Sequence, residues 1–326
     1  MDFDYRSVSL SKIDSTDATY CITFPHPSRD LVDSIKEIGL LRPPLLKADG
    51  DRYVIISGFE RIAACRQLEW SSIPAGVMDA SITAAQCTII AVADKTAVRS
   101  LNLVEQAHAV NLLASAFDEK SAFNAAARRA GLNTSERLVA KLKRVAEMPP
   151  LLQSGLIEGI IALPVALAID RMPDKEAATA VSLLLYESNF SLNQQREILD
   201  SVIAVSRRDG ISIPRLLCDG PIGDIRQNGE LDHRHMARMI RLCLKAMRYP
   251  TISSVEKHFQ QLVKKLKLPD KAQLIAPPNF EGRSFALRFE FDNQTDLEAM
   301  QKVLNRLIST PEIDQLWGLF RLDEVP

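Results

Sequence analysis

Two constellations in this chain have residue types and spacings suited to binding chemistry. The first runs Ile55-Ile56-Ser57-Gly58-Phe59-Glu60-Arg61, continues to Leu68, and is followed by Ser72-Ile73-Pro74-Ala75. A β-rich run ends at a glycine, and a helix starts at once. Such a join presents bare backbone N–H groups at a helix N-terminus, where a phosphate is well placed. Arg61 adds a cation there, and Glu60 adds an opposing charge. The plainer reading is a strand-to-helix turn at Gly58 with Arg61 ion-paired or at the surface.

The second constellation is cationic. Between Lys120 and Arg144 stand Lys120, Arg128, Arg129, Arg137, Lys141, Lys143 and Arg144 against the single acid Glu136, in a chain whose net charge is −1. Leu138, Leu142 and Val145 repeat at helical spacing and suit a core. Arg137, Lys141 and Arg144 repeat at the same spacing on another face, with Arg128 and Arg129 closing the helix before. Cations on a helix that fits a major groove are what phosphate contact requires. The competing reading is a solvated helix face. Asn133 and Glu136 have the spacing of a capping box; alternatively Glu136 is free to accept from a cytosine amino group.

Elements must position these groups. The 326 residues suffice for two or three compact units. Ser28 suits the cap of a helix carrying Leu31, Ile35 and Ile38, closed by Gly39. Leu45-Leu46-Lys47 and Tyr53 to Ile56 flank Ala48-Asp49-Gly50-Asp51 as a hairpin, and Ala84 to Ala93 reads as a helix. From about 83 to 204 the pattern is helix after helix. One of these helices runs to Phe117, a second spans Ala122 to Ala130 and stops at Gly131, and a third starts at Asn133 and passes Val145. Two short helices with a glycine-containing turn fit a helix-turn-helix. Ser191 and Gln194 have capping-box spacing. Gly210, Pro214, Gly220, Pro221, Gly223 and Gly229 suggest a linker. Beyond it, Ser253 to Leu266 reads as a helix, Ala272 to Ala276 as a strand, and Ser284 to Phe291 as a strict alternation with Phe285, Leu287, Phe289 and Phe291 on one face. Thr295 and Glu298 suggest a cap for a helix bearing Leu297, Met300, Leu304, Leu307 and Ile308.

The Gly58 segment resembles the G-E-R-R-x-R-A-A…I-P box of the ParB family, whose members bind DNA and in many cases CTP. Gly39-Leu40-Leu41-Arg42-Pro43-Pro44 corresponds to the family's glycine-leucine-x-Gln-Pro stretch, with Arg42 for Gln. Gly58 and Arg61 match the second box; Phe59, Glu60 and Ala63 depart from it. Asp94-Lys95-Thr96-Ala97-Val98 stands where the family has E-N-x-Q-R. The resemblance implies a nucleotide site at Gly39, Arg42, Pro43, Ser57, Gly58, Phe59, Glu60 and Arg61, for CTP with magnesium. Those departures imply a weakened or lost site.

Leu101-Asn102-Leu103-Val104-Glu105-Gln106-Ala107 resembles the family's L-N-P-I-E-E-A. Ser135 to Arg144 aligns without gaps on S-R-S-x-V-A-N-x-x-R, with Glu136 for the first Arg. This implies DNA contacts from Arg128, Arg129, Thr134, Ser135, Arg137, Lys141, Lys143 and Arg144. Gly155 to Ala168 resembles the helix pair that follows. The C-terminal order of strand and helix resembles the family's dimerisation domain, implying contacts through Phe285, Leu287, Phe289, Phe291, Leu304 and Leu307; the competing reading is that this face packs on its own chain's middle domain.

The expected architecture is therefore α+β and multidomain: a ParB/sulfiredoxin-like N-terminal domain (1–98), an all-α helix-turn-helix domain (99–205), a linker with a basic helix (206–250) and a small βα dimerisation domain (251–326). The expected function is a homodimeric binder of double-stranded DNA in chromosome or plasmid partitioning, or regulation of a mobile element, with a partition ATPase as partner. The alternative is a CTP-binding or CTP-hydrolysing clamp, or a phosphotransferase on the same fold. Five scattered cysteines suggest reduced thiols and a cytoplasmic, nucleoid-associated protein, with no membrane partner. His233 and His235 stand two apart, which puts them on different helix faces and argues against a metal pair. Arg234, Arg238, Arg241, Lys245 and Arg248 make their helix basic, either as a second DNA contact or as a solvated face. No serine, cysteine or histidine constellation suggests nucleophilic catalysis. Cys65 reads as packing.

Overall fold

The computed structural model describes residues 3–23, 27–132, 135–188, 190–281 and 284–319. The chain divides into two compact units, 1–173 and 174–326. The first unit opens with β1 (Asp4–Ser9), β2 (Ile13–Asp14) and α1 (Arg29–Ile38). Ser28 starts α1 as its type and position predict: its hydroxyl accepts the Leu31 N–H. β3 (Leu45–Asp49) and β4 (Arg52–Ser57) form the expected hairpin, turned by Gly50 and Asp51. α2 (Phe59–Gln67), β5 (Ser72–Met78) and α3 (Ala84–Thr96) follow.

The five strands make one mixed sheet in the order β1-β5-β3-β4-β2. The β3–β5 and β2–β4 pairs are parallel; β1–β5 and β3–β4 are antiparallel. Leu46, Ile55, Ile56, Ile62 and Ile73 are buried in a core shared by this sheet and its helices. Cys65 and Cys87 join that core as small apolar groups, and burial pushes both thiols up.

The unit continues as α4 (Leu103–Ala116), α5 (Lys120–Arg129), α6 (Glu136–Glu147), α7 (Pro150–Ile157) and α8 (Leu163–Asp170). α6 packs on α4 and buries Leu142 and Val145, two of the three residues expected on its core face; Leu138 is half-buried. Its start differs from the expectation. Ser135 is the cap, its hydroxyl accepting the Leu138 N–H, and α6 begins at Glu136. Glu136 stands at the first helical position and is bound by Lys120 from the start of α5, so it does not close a capping box. Asn133 and Thr134 lie outside the described residues.

The second unit holds α9 (Lys175–Ser188), α10 (Leu192–Asp209), α11 (Ile213–Cys218), α12 (Gly220–Gln227), α13 (His233–Arg248) and α14 (Pro250–Leu266). Ser191 and Gln194 form the expected capping box on α10. The expected linker is corrected: its prolines, Pro214 and Pro221, stand in the first turns of α11 and α12, where a missing N–H costs nothing, and Ile213, Leu216, Leu217 and Ile222 are buried. Then come β6 (Ala272–Ile275), β7 (Ala286–Phe289), α15 (Gln294–Ile308) and α16 (Pro311–Gly318). β6 and β7 pair antiparallel, Leu274 opposite Leu287. Asn293, not Thr295, caps α15, accepting the Asp296 N–H at 2.8 Å. Among the described residues no helix is long and apolar enough to cross a membrane.

Candidate functional site

The residues expected around a phosphate do come together, but they are already engaged. Gly58 caps α2 in the left-handed region (φ 99°, ψ 23°). From the first turn of α2, the Arg61 guanidinium donates to the Arg42 carbonyl at 2.8 Å and to the Pro43 carbonyl at 3.3 Å. It also pairs with the Asp94 carboxylate of α3 at 3.1 Å. Arg42 reaches the other oxygen of Asp94 at 3.5 Å, and the Ser57 hydroxyl donates to the oxygen that Arg61 holds. Lys95, next on α3, pairs with Glu60 at 3.3 Å. Burial pulls the Arg61 guanidinium below its ordinary value, and Asp94 offsets that pull.

This arrangement does not fit a nucleoside triphosphate. Such a ligand needs several cations converging on it, or a metal. Arg42 and Arg61 are spent on Asp94, Lys95 is spent on Glu60, and two acids stand among three cations. Phe59, expected at this site, is instead buried in the core. Gly39 ends α1 with its N–H on the Ile35 carbonyl. Asp94 was read in the sequence only as the loss of a family motif. A signal for its role existed: Cys87, Ala91 and Asp94 follow at i, i+4 and i+7, and the first two are buried, so the stripe aims Asp94 at the sheet.

The cationic cluster divides into two kinds of residue. Arg144 turns out of the expected ridge, donating to one Asp170 oxygen at 2.6 and 3.1 Å. Lys120 is held by Glu136. Arg128, Arg129, Arg137, Lys141 and Lys143 are exposed, and among the described residues none lies within 4.0 Å of a carboxylate. Three cations of the second unit do meet acids: Arg226 meets Glu187 at 2.8 Å, Arg241 meets Glu197 at 2.7 Å, and Lys245 meets Glu256 at 2.7 Å. The last two pairs take Arg241 and Lys245 out of the expected basic face of α13, while Arg234 and Arg238 stay exposed. His233 and His235 bond to the Glu187 carbonyl and to Asp232 respectively.

The helices carrying the cluster rest on a cap. Asn102 starts α4, accepting the Val104 and Glu105 N–H groups, while Glu105 reaches back to the Asn102 N–H at 3.0 Å. Glu105 is 4% exposed and holds Arg99 through both carboxylate oxygens. Burial raises this carboxyl, but the Arg99 bond, the Asn102 N–H and the charges of Arg99 and Lys95 bring it below its ordinary value. A carboxyl depressed in the folded state contributes stability above the unfolded value of about 4.3, lost as pH falls through the folded value. Glu105→Gln is therefore expected to lower stability at neutral pH by about 1–3 kcal/mol and to flatten the acid limb between about pH 5 and 3. Urea unfolding across that range checks both; an unchanged acid limb contradicts the assignment.

The alternating C-terminal face also divides. Phe285 stacks on Phe259 of α14 with ring centroids 5.6 Å apart, Leu287 joins the same cluster, and Leu307 is buried within it. These three, expected at a dimer contact, pack on their own chain. Phe289, Phe291 and Leu304, with Leu297 and Met300, line an open apolar groove of about 550 Å³.

A mixed five-stranded sheet with a glycine-led helix, followed within one unit by a run of short helices, defines an α+β protein of the kind that joins a small sheet domain to a helical one. Residues 10–93 match the ParB N-terminal domain. Over that stretch the chain carries a ParB N-terminal domain, and its relatives include partitioning and nucleoid occlusion proteins. It is 28% identical over 183 residues to the chromosome-partitioning protein Spo0J of Thermus thermophilus, covering 56% of this chain and 60% of that one. It is 26% identical over 168 residues to the nucleoid occlusion protein of Shouchella clausii, covering 52% and 57%. The chain thus spans less than two thirds of the length of either relative. A C-terminally truncated ParB from Caulobacter crescentus, complexed to the centromeric parS site, aligns at 21% identity with a TM-score of 0.32, over 58% of this chain and 96% of that one.

Proposed function

We propose that this chain binds double-stranded DNA in partitioning a chromosome, a plasmid or another mobile element, with α5, the turn at Gly131 and α6 acting as a helix-turn-helix. One observation carries the reading: five long cations, Arg128, Arg129, Arg137, Lys141 and Lys143, stand exposed on the neighbouring helices α5 and α6 without a carboxylate partner among the described residues. Cations left unpaired on neighbouring helices are an electrostatic footprint for phosphates. The named roles of the relatives, chromosome partitioning and nucleoid occlusion, agree with it. The location that follows is the nucleoid, and a motor ATPase is the expected further partner. Anisotropy of a labelled duplex titrated at rising salt tests the reading. If all five cations meet phosphates, the log–log slope is about −4.5 per protomer. Absent or salt-indifferent binding overturns it.

The same reading has the protein working as a homodimer through Phe289, Phe291 and Leu304. An open groove of large apolar side chains is the kind of surface a second copy covers. Leu304→Asp is expected to convert a dimer into a 36.3 kDa monomer by light scattering, with little change in thermal stability because Leu304 is exposed. A variant that stays dimeric places the contact elsewhere.

A further inference from the structure

The crowding around Asp94 has a consequence for how the first unit is held together. Donors from three elements converge on this one carboxylate: Arg42 from the loop before β3, Ser57 from the end of β4, and Arg61 from α2. The bare backbone N–H groups at a helix start make a ready site for an anion brought from outside. We infer that Asp94 is a resident anion, a carboxylate of the chain's own that takes the place of a phosphate and latches α3 onto the sheet. The inference rests on the reading of the Gly58 junction as a phosphate-type site and stands apart from the DNA interface, which uses other residues.

The latch has a second tie and a mechanical output. Lys95 to Glu60 repeats the α3-to-α2 link one residue along, at 3.3 Å. Thr96, at the end of α3, donates its hydroxyl to the Ala130 carbonyl at 2.7 Å, where α5 ends. The last turn of α3 is thus bonded both to the sheet domain's charge cluster, through Asp94 and Lys95, and to the end of the helix that carries Arg128 and Arg129, through Thr96. Where a ligand phosphate would have to arrive before these parts were joined, a covalently tethered carboxylate joins them at all times. Its effective concentration exceeds that of any free anion. The first unit therefore stays latched without nucleotide.

The test uses the full chain, inorganic pyrophosphate and magnesium CTP as separate probes, and calorimetry. The parent is expected to show no saturable heat with either probe up to about 1 mM. Asp94→Asn keeps the shape of the side chain and removes its charge. It is expected to bind pyrophosphate at least tenfold more tightly than the parent, and to lose that gain when Arg61→Ala is added. Hydrogen exchange supplies a second readout: amides of 84–96 should exchange faster in Asp94→Asn, with Asp94→Ala faster still. Parent protein that binds either probe as well as Asp94→Asn overturns the inference. So does a folded Asp94→Asn that gains no pyrophosphate, or whose α3 amides keep their protection. None of these outcomes bears on the salt dependence of duplex binding, so failure of the latch and failure of the DNA reading are separable.

Discussion

The double variant Arg137→Ala, Lys141→Ala is expected to bind duplex DNA about 30-fold more weakly than the parent at about 150 mM salt, with a salt slope shallower by about 1.8. The reasoning is electrostatic. Each cation that neutralises a phosphate releases close to one counterion, so two lost contacts remove about 1.8 from the log–log slope; extrapolated to a common affinity near 1 M salt, that difference opens to about 30-fold at physiological strength. Between about 50 and 200 mM salt the parent should weaken roughly 500-fold and the variant only about 40-fold. Both residues are exposed on α6 without an acidic partner among the described residues, so their removal leaves the fold intact. Arg144→Ala is the informative contrast. Its guanidinium is committed to Asp170, so the slope should barely move while stability falls. If Arg144→Ala flattens the slope and the double variant does not, α6 meets DNA by a different face or not at all.

What the sequence disclosed and what it hid follow from the range of the interactions concerned. The β3–β4 hairpin, the Ser28 cap and the Ser191–Gln194 capping box of α10 depend on residues within a few positions of each other, and each was legible. The core stripe of α6 was legible too, because period alone places Leu142 and Val145. Local signals failed where a distant residue intervened or where one residue type has two uses. Spacing pointed to Asn133 and Glu136 as a capping box, whereas Ser135 caps α6 and Glu136 is held by Lys120, sixteen residues before it. Pro214 and Pro221 read as a linker because proline marks both the breaks between helices and their first turns. The alternation from Phe285 to Phe291 defined a face but not its cover; α14 takes Phe285 and Leu287, and the rest stays open. Hardest to see were the ion pairs joining distant segments, Arg61 to Asp94 and Arg144 to Asp170. They decide which cations are free, and charge counting along the chain cannot tell a free cation from a spent one.

Gly58→Ala should be the most damaging small substitution at the nucleotide-type site, lowering the stability of the first unit by about 3 kcal/mol, on the order of a hundredfold in the folding equilibrium. Two costs combine there. At φ 99° a residue with a Cβ is held in the left-handed region, worth roughly 1–2 kcal/mol. The added Cβ would also lie 2.7 Å from the Pro44 Cβ and 3.0 Å from its Cα. Pro44 has little room to retreat: it is buried, its ring is rigid, and its carbonyl accepts the Gly76 N–H at 3.0 Å from β5. Gly210→Ala separates the two costs. Its φ is 66° with open space around the new Cβ, so only the backbone part, about 1 kcal/mol, should appear. Urea unfolding followed by Trp70, packed against the first unit's core, in a Trp317→Phe background reports the Gly58 change specifically, since the chain has two tryptophans. Gly210→Ala, in the second unit, is followed by Trp317 in the mirror-image Trp70→Phe background. Equal losses at the two glycines would mean that Pro44 yields. The junction would then have room for an incoming group, and the rigid floor on which Ser57 and Arg61 are held against Asp94 would be absent.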